Sequence, residues 1–379
     1  EQMQALVNSM WNTIAGSVAE ARGIDLKELN RITDKLEVSL PEDALEHGFV
    51  DSLIYEDQMK DIFAELGVAS DSDGEYNFIT LGEYASQVGA DLKNISADQV
   101  AVVYADGAIV DGEGFGKEIY GNTLAAKLAG VREDEKVKAV VLRVNSPGGS
   151  ALASDVIWRE MELLKAEKPV VVSMGSYAAS GGYYISCPAD VIVADRTTLT
   201  GSIGVFGMFI NPIDALKNKL GVTLDGVKSN ASAGMGSVSA LTPVERASIM
   251  RGVDKVYETF TEHVAAGRNL PVERVLEIAG GRVWSGEDAL GIGLIDTYGG
   301  LKTAIAMAVD KAGMGDDFRV VEVREEPTGL AAFLSAMNVS IREAFTRSEL
   351  ETVMKEYGAV REATRLQGIL MYSPCKLEL

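Results

Sequence analysis

Runs of branched apolar residues, each bounded by turn-forming residues, recur through the middle of the chain. Four such runs are QVAVVYADGAIV from Gln99, KAVVLRV from Lys138, PVVVSMG from Pro169 and DVIVA from Asp190. Short β-branched runs between turn residues are typical of strands. Because these runs are continuously apolar rather than alternating, they predict a largely parallel sheet that is covered on both faces.

Stretches with helical periodicity separate these predicted strands. In ASDVIWREMELLKAEK, apolar residues recur with a period near 3.6 and charged residues occupy the opposite face. A longer stretch after residue 240, PVERASIMRGVDKVYETFTEHVAAGR, predicts a long helix. Strands that alternate with amphipathic helices predict an α/β fold.

Two distant parts of the chain resemble each other. PEDALEHGFVD from Pro41 and GEDALGIGLID from Gly286 share more than half of their residues at a spacing of about 245 positions. The segments before them, ARGIDLKELNRI and AGRNLPVERVLEI, also match in size and polarity, as do the helical patterns after them. Agreement over three consecutive segments favours a tandem duplication over a chance likeness between helix–turn–strand units.

This repeat predicts the domain organisation. We expect residues 1–66 to be the C-terminal tail of a truncated first repeat and residues 98–315 to be one complete repeat. The polar, turn-rich residues 67–97 are predicted to be a linker, and residues 316–379 a helical C-terminal extension. Since the first residue is Glu1 rather than Met, we expect that the chain is a fragment and that the front half of the first repeat is missing, with any membrane anchor.

Composition narrows the possible classes of function. The chain has 35 Lys and Arg against 56 Asp and Glu, a net charge of −21, which opposes the binding of nucleic-acid phosphates. Its two cysteines, Cys187 and Cys375, are too few for a disulfide framework or a four-thiolate zinc site. No apolar run approaches the roughly 20 residues of a membrane helix. We predict no cofactor and no metal.

Two glycine-rich loops follow predicted strands, RVNSPGGSALAS from Arg143 and VVSMGSYAASGGYY from Val171. Ligands of such sheets bind beyond the carboxyl ends of the strands, where these loops lie. Ser180 stands at a strand-to-helix junction, where neighbouring glycines let backbone N–H groups approach a substrate oxygen. A nucleophile beside oxyanion donors is what acyl transfer requires, although turn geometry and close packing alone also account for such glycines.

The order of three motifs carries a family resemblance. RVNSPGGS, PVVVSMGSYAASGGYYIS and, from Thr198, TLTGSIGVFG resemble the signal peptide peptidase A family, also called protease IV. The resemblance implies a Clp protease/crotonase-like fold of repeated β-β-α units, with two tandem copies in the long form of the family. It also implies that Ser180 is the nucleophile, that the backbone N–H groups of Gly149 and Gly181 form the oxyanion hole, and that Ser202 hydrogen-bonds the catalytic base.

The residue that accepts the proton of Ser180 is the open part of this prediction. Neither His47, in the first repeat's tail, nor His263, which we expect on the surface of the long helix, is a good candidate. The family uses a lysine that burial keeps neutral. Ala233 occupies the place that this lysine has in single-domain members, and Lys228 stands too early in the chain.

In the long form of the family the lysine comes from the first repeat, at a place that would lie before Glu1. We therefore expect that the general base is in the missing N-terminal half and that the fragment alone is inactive. Two alternatives stay open: Lys228 acts as a substitute base, or the domain is a scaffold without activity.

The resemblance implies a Ser-Lys endopeptidase that degrades hydrophobic peptides such as cleaved signal peptides. It further implies a homo-oligomer, a tetramer. This oligomer is expected to be anchored to the bacterial cytoplasmic membrane through the missing N-terminal segment, with its catalytic domain on the outer, periplasmic side.

Two other classes of function remain open. A crotonase-like acyl-CoA enzyme would share the oxyanion loops without a nucleophilic serine, and a non-catalytic assembly domain would need neither.

Overall fold

A computed structural model gives the fold of the chain. It describes residues 1–55, 58–68, 79–84, 98–208, 213–223, 229–230, 232, 241–323 and 368–372. The chain divides into one unit of residues 1–6 and 96–379 and a second of residues 7–95. Three residues discussed above, Lys228, Ala233 and Cys375, lie outside the described residues, as does most of the predicted linker.

The regular structure in the described part of the unit of residues 7–95 is helical. Asp25 begins the second of its helices, where its carboxylate accepts hydrogen bonds from the backbone N–H groups of Lys27 and Glu28. A small core contains Ala15, Ala19 and Leu29. The helices are α1 (Gln2–Arg22), which begins just before the unit, α2 (Leu26–Asp34), α3 (Pro41–Glu46) and α4 (Met59–Glu65); residues 81–84 are also helical.

The larger unit has an α/β fold, as the alternation of apolar runs and helical stretches predicts. Its strands are β1 (Gln99–Asp106), β2 (Ile109–Val110), β3 (Ile119–Tyr120), β4 (Val137–Ser146), β5 (Gly148–Ser150), β6 (Val170–Ala179), β7 (Val191–Ala194), β8 (Leu199–Gly201), β9 (Phe206–Met208), β10 (Val283–Ser285), β11 (Thr297–Tyr298), β12 (Arg319–Val323) and β13 (Gly368–Tyr372). Its helices are α5 (Gly121–Glu133), α6 (Ala151–Glu167), α7 (Gly181–Ser186), α8 (Ile213–Leu220), α9 (Pro243–Arg268), α10 (Val272–Ile278), α11 (Gly286–Gly291) and α12 (Leu301–Lys311).

The main sheet has the strand order β10-β8-β6-β4-β1-β12, with β7 and β11 attached beside β6. Its central pairs are parallel, and among the described strands of this sheet only β10 pairs in the antiparallel direction. One face packs against α5 and α6 through residues such as Leu128 and Ile157, and the other packs against α12 through Ala304 and Ala308. The sheet is therefore covered on both faces, which explains why its central strands are continuously apolar.

A second, smaller sheet has the order β3-β2-β5-β13-β9. Here β13 runs antiparallel to both neighbours, so that Leu370 lies opposite Ser150 of β5 and Phe206 of β9. The chain thus brings a segment near its C-terminal end between two strands that precede it by more than 150 positions.

Two predicted elements differ from the structure. The apolar run from Gln99 divides into β1 and β2, because Gly107 takes a φ of +114° and a Cβ there would lie 2.0 Å from the carbonyl oxygen of Lys117. The predicted helical extension of residues 316–379 is wrong where it is described. Its two described segments are strands, since β12 adds a parallel strand to β1 and β13 fills the gap between β5 and β9.

Candidate active site

Three strands of the main sheet end side by side at the site. Ser146 at the end of β4 lies opposite Ala178 of β6, and Ala179 lies opposite Gly201 of β8. The Thr200 hydroxyl, which is fully buried, donates a hydrogen bond of 2.8 Å to the Ala178 carbonyl oxygen. Because all three strands are parallel, the three motifs of the sequence follow neighbouring strand ends at one edge of the sheet.

Ser180 forms the turn from β6 into α7. Its φ of +54° and ψ of −115° are unusual for a residue that is not glycine, and such a conformation costs about 1–3 kcal/mol. The turn is held by the Ser180 N–H, which donates to the Gly201 carbonyl oxygen at 2.8 Å, and by the Ser180 carbonyl oxygen, which accepts from the N–H of Tyr184 at 2.9 Å. A strained serine between a strand and a helix is the backbone arrangement of the nucleophile elbow in α/β-hydrolases.

The hydroxyl of Ser180 is not used as a helix cap. Serine at the first position before a helix usually accepts a backbone N–H bond, yet this side chain makes no capping bond to α7. Its Oγ instead lies 3.5 Å from the carbonyl oxygen of Gly204. Ser180 is buried, with 0% of its surface exposed.

Gly149 lies in β5, in the loop after β4. A Cβ at this position would lie 1.9 Å from the backbone oxygen of Ile109 in β2, and so only glycine fits. The neighbouring Gly148 has a φ of +99° and donates its N–H to the Ser146 hydroxyl at 3.1 Å. Helix α6 begins immediately after this loop, where the Ser150 hydroxyl accepts a bond from the N–H of Ala153.

Gly181 and Gly182 open α7. The first N–H groups of a helix have no partner within it, so the Gly181 N–H is available to an anionic ligand by its position. A Cβ on Gly182 would lie 2.6 Å from the carbonyl oxygen of Ser146. Glycine here lets the start of α7 approach the end of β4, where the Gly149 loop begins.

Ser202 follows β8 with a φ of +49°. Its hydroxyl donates to the carbonyl oxygen of Gly281 at 3.2 Å, and its N–H donates to the carbonyl oxygen of Arg282 at 2.8 Å. This supporting segment is not among the predicted site residues. Its signal was the Gly-Gly pair before β10, where a Cβ on Gly204 would lie 2.7 Å from the Gly281 Cα.

The two histidines have partners other than Ser180. His263 lies on α9 and is only 19% exposed, which corrects the predicted surface position. It stacks on the Trp158 indole at 3.5 Å because this face of α9 packs on α6. Burial lowers the pKa of His263, and the nearby Asp155 partly offsets this shift. His47, in the unit of residues 7–95, lies 3.8 Å from Glu37.

The described residues contain neither a metal-binding cluster nor a membrane-spanning helix. No group of three His, Cys, Asp or Glu side chains there is placed to hold a metal ion. None of the described helices is long and apolar enough to span a membrane.

Comparison with known families gives two matches. The model of peptidase family S49 matches residues 1–69 and 162–315, and the model of Clp protease matches residues 93–199. The second match, together with the parallel sheet, confirms the predicted Clp protease-like fold class. Both matches fit the resemblance drawn from the three motifs.

Individual relatives agree with these models. The chain is 39% identical to Protease 4 of Salmonella typhi over 300 residues, which are 79% of this chain and 48% of that protein. It is 37% identical to Protease 4 of Haemophilus influenzae over 334 residues, 86% of this chain and 54% of that protein. A putative signal peptide peptidase SppA of Enterococcus faecium is 36% identical over 262 residues, 68% of this chain and 74% of that protein. The chain thus spans about half the length of the two Protease 4 relatives.

Proposed function

The chain belongs to peptidase family S49, and from that premise we propose that it supplies the nucleophile and the oxyanion donors of a serine endopeptidase. The Ser180 oxygen attacks the scissile carbonyl carbon while a neutral lysine accepts the hydroxyl proton. The backbone N–H groups of Gly149 and Gly181 stabilise the oxyanion. The amine leaves with a proton from the lysine, and water then releases the acyl group from Ser180.

The observation that carries this proposal is the backbone of Ser180. A strained φ of +54° holds the serine at the meeting point of three strand ends, with its hydroxyl unused by the helix that follows. Strained residues of this kind cluster at active sites, where surrounding structure holds them. Gly149 and Gly182 pack so closely against neighbouring backbone that a Cβ would clash there, and Gly182 brings the start of α7 close to the end of β4.

The pairing of β13 supports an extended peptide as the substrate. Residues 368–372 lie between β5 and β9 and pair with both, directly beside Gly149. The gap between these strands therefore accepts an extended backbone. Many proteins bind peptides in this way, as an added strand of a sheet. We propose that a hydrophobic peptide, such as a cleaved signal peptide, takes the place of β13; one relative's name, putative signal peptide peptidase, agrees with this substrate class.

We propose that the general base is a lysine from a first repeat that precedes residue 1, with residues 1–66 as the end of that repeat and 98–315 as the complete second one. Ser202 then orients the lysine. Lys228, outside the described residues, is the competing candidate. The active form that we propose is a homo-oligomer, a tetramer, held at the outer side of the bacterial cytoplasmic membrane.

Hydrolysis of a fluorogenic hydrophobic peptide by the intact protein tests the reaction. Ser180→Ala is expected to abolish hydrolysis, and Ser176→Ala, an exposed serine on the same strand, is expected to leave it unchanged. Retained hydrolysis in the Ser180 variant would refute the nucleophile, and turnover of acyl-CoA thioesters instead of peptides would favour the crotonase-like alternative.

The substrate position has its own test. Leu370→Pro removes a backbone N–H from β13 and weakens its pairing in the gap. Since β13 then competes less with a peptide that binds in the same gap, the KM of that peptide should be lower at unchanged kcat. An unchanged or higher KM would contradict the placement.

A further inference from the structure

The two helices that flank the site begin at the two proposed oxyanion donors. Helix α6 begins at Ala151, two positions after Gly149, and α7 begins at Gly181 itself. A change in the separation of these helices would therefore change the separation of the two N–H groups. The contacts between α6 and α7 set the geometry that an oxyanion would meet.

One hydrogen bond joins these helices near the ends where they begin. The Tyr184 hydroxyl on α7 donates to Oδ1 of Asp155 on α6 at 2.6 Å. The Tyr184 side chain is 2% exposed, and its pKa is raised by burial and by the Asp155 carboxylate, so the hydroxyl keeps its proton and remains a donor. The acceptor is a carboxylate oxygen, and hydrogen bonds to carboxylates are stronger than those between neutral groups.

Helix α7 has little stability of its own. It contains six residues, and helices that short depend on tertiary contacts for their position. Its two tyrosines make these contacts in different directions. The Tyr183 hydroxyl donates to the carbonyl oxygen of Leu294 at 2.8 Å, whereas the Tyr184 hydroxyl donates to α6. Only the Tyr184 bond joins the two helices that begin at the donors.

Aromatic side chains enclose this bond. The Tyr184 ring lies 4.8 Å from the Phe260 ring and 5.4 Å from the His263 ring, both on α9. His263 stacks on Trp158, and its Nε2 lies 3.6 Å from the same Asp155 oxygen. These rings restrict the movement of the Tyr184 phenol. The Asp155 side chain is partly exposed to solvent, at 52%.

We propose that Tyr184 and Asp155 form a brace that fixes the separation of the Gly149 and Gly181 N–H groups, and that both are positioning residues for the oxyanion. The proposal rests on the proposed serine peptidase function. Neither residue touches the substrate. The brace stabilises the transition state in particular, because only the oxyanion needs the Gly149 and Gly181 N–H groups at the same time. Its loss should therefore lower kcat rather than raise KM.

The test compares brace variants of the intact protein with a fluorogenic peptide and with a peptide aldehyde. The aldehyde carbon accepts the Ser180 oxygen and forms a hemiacetal whose oxygen occupies the oxyanion position. We expect Tyr184→Phe to lower kcat about tenfold, to raise the aldehyde Ki by a similar factor, and to leave KM within about twofold. An uncleaved peptide without the aldehyde should bind with unchanged affinity.

Substitutions of the acceptor separate the brace from general packing. Asp155→Ala should reproduce the effect of Tyr184→Phe, whereas Asp155→Asn, which keeps an oxygen acceptor, should restore most of the activity. The double variant Tyr184→Phe, Asp155→Ala should be no worse than either single variant. Tyr298→Phe is the matched control, because it removes a phenol bond to the Glu287 carbonyl oxygen away from both helices, and its kcat should not change.

The brace would be refuted by an unchanged aldehyde Ki in Tyr184→Phe, by additive effects in the double variant, or by an equal loss of affinity for the uncleaved peptide. Failure of the underlying function has a different signature, since hydrolysis would then persist in Ser180→Ala whatever the brace variants do.

Discussion

Two similar segments of the chain have the same order of helices in different surroundings. We call residues 2–65 the first copy and residues 243–311 the second copy. In the first copy, Arg22 donates to the Gly48 carbonyl oxygen at 2.8 Å and pairs with Asp51 at 3.0 Å. In the second copy, Arg268 donates to the Gly293 carbonyl oxygen at 3.2 Å and pairs with Asp296 at 2.6 Å. The arginine is 27% exposed in the first copy and 6% exposed in the second. The two similar sequences therefore encode the same local contacts, and the surroundings determine how deeply they are buried.

Other matched positions of the two copies also have similar local structure and unequal burial. The helices that carry these arginines are both followed by a left-handed residue, Gly23 with a φ of +66° and Asn269 with a φ of +52°. Phe260 on α9 is fully buried against the core beneath α7, whereas Ile14 at the matching position of α1 is 44% exposed. Substitutions at matched positions should thus have unequal effects, large in the second copy and small in the first.

The largest difference is expected at the repeated ion pair. Arg268→Met leaves Asp296 without its buried partner and should lower the free energy of unfolding by about 3 kcal/mol. Arg22→Met breaks the more exposed pair and should cost less than about 1 kcal/mol. Urea unfolding measures both; equal losses would contradict the role of burial.

A glycine in α9 gives the next difference. A Cβ on Gly267 would lie 2.2 Å from the carbonyl oxygen of Cys187, and Gly267→Ala should therefore cost about 2 kcal/mol despite the better helix propensity of alanine. The first copy already has Ala21 at this position, where the residue is exposed. Ala21→Gly should cost at most about 1 kcal/mol. A Gly267→Ala variant of normal stability would show that α9 is not packed this closely.

The smallest effect concerns pH. Burial holds the pKa of His263 below its usual value of 6.5, so the unfolded chain binds the proton first as the pH falls. Stability should decline with acid below about pH 6.5 and level off below the folded pKa. His263→Ser introduces the residue that the first copy has at Ser17 and should flatten this part of the profile. Urea unfolding between about pH 8 and pH 5 measures it, and identical slopes would contradict the burial of His263.

The sequence predicted the parts that depend on local pattern or on ordered motifs. The long helix from Pro243 to Arg268 is predicted by its sequence, and the meeting of the two glycine-rich loops follows from parallel strands that end at one edge. What it missed depends on contacts between distant residues. Nothing in the local sequence of 368–372 reveals its pairing with β5 and β9, and the period of α9 does not reveal that α6 covers His263.

Covalent labelling tests directly whether Ser180 is the nucleophile. The intact, peptide-hydrolysing protein is treated with a fluorophosphonate, which phosphonylates an activated serine, and the modified peptide is identified by mass spectrometry. We expect one adduct, on Ser180, whose formation abolishes hydrolysis and which is absent in Ser180→Ala. Loss of hydrolysis with the adduct on another residue, or hydrolysis that continues with Ser180 fully modified, would contradict it.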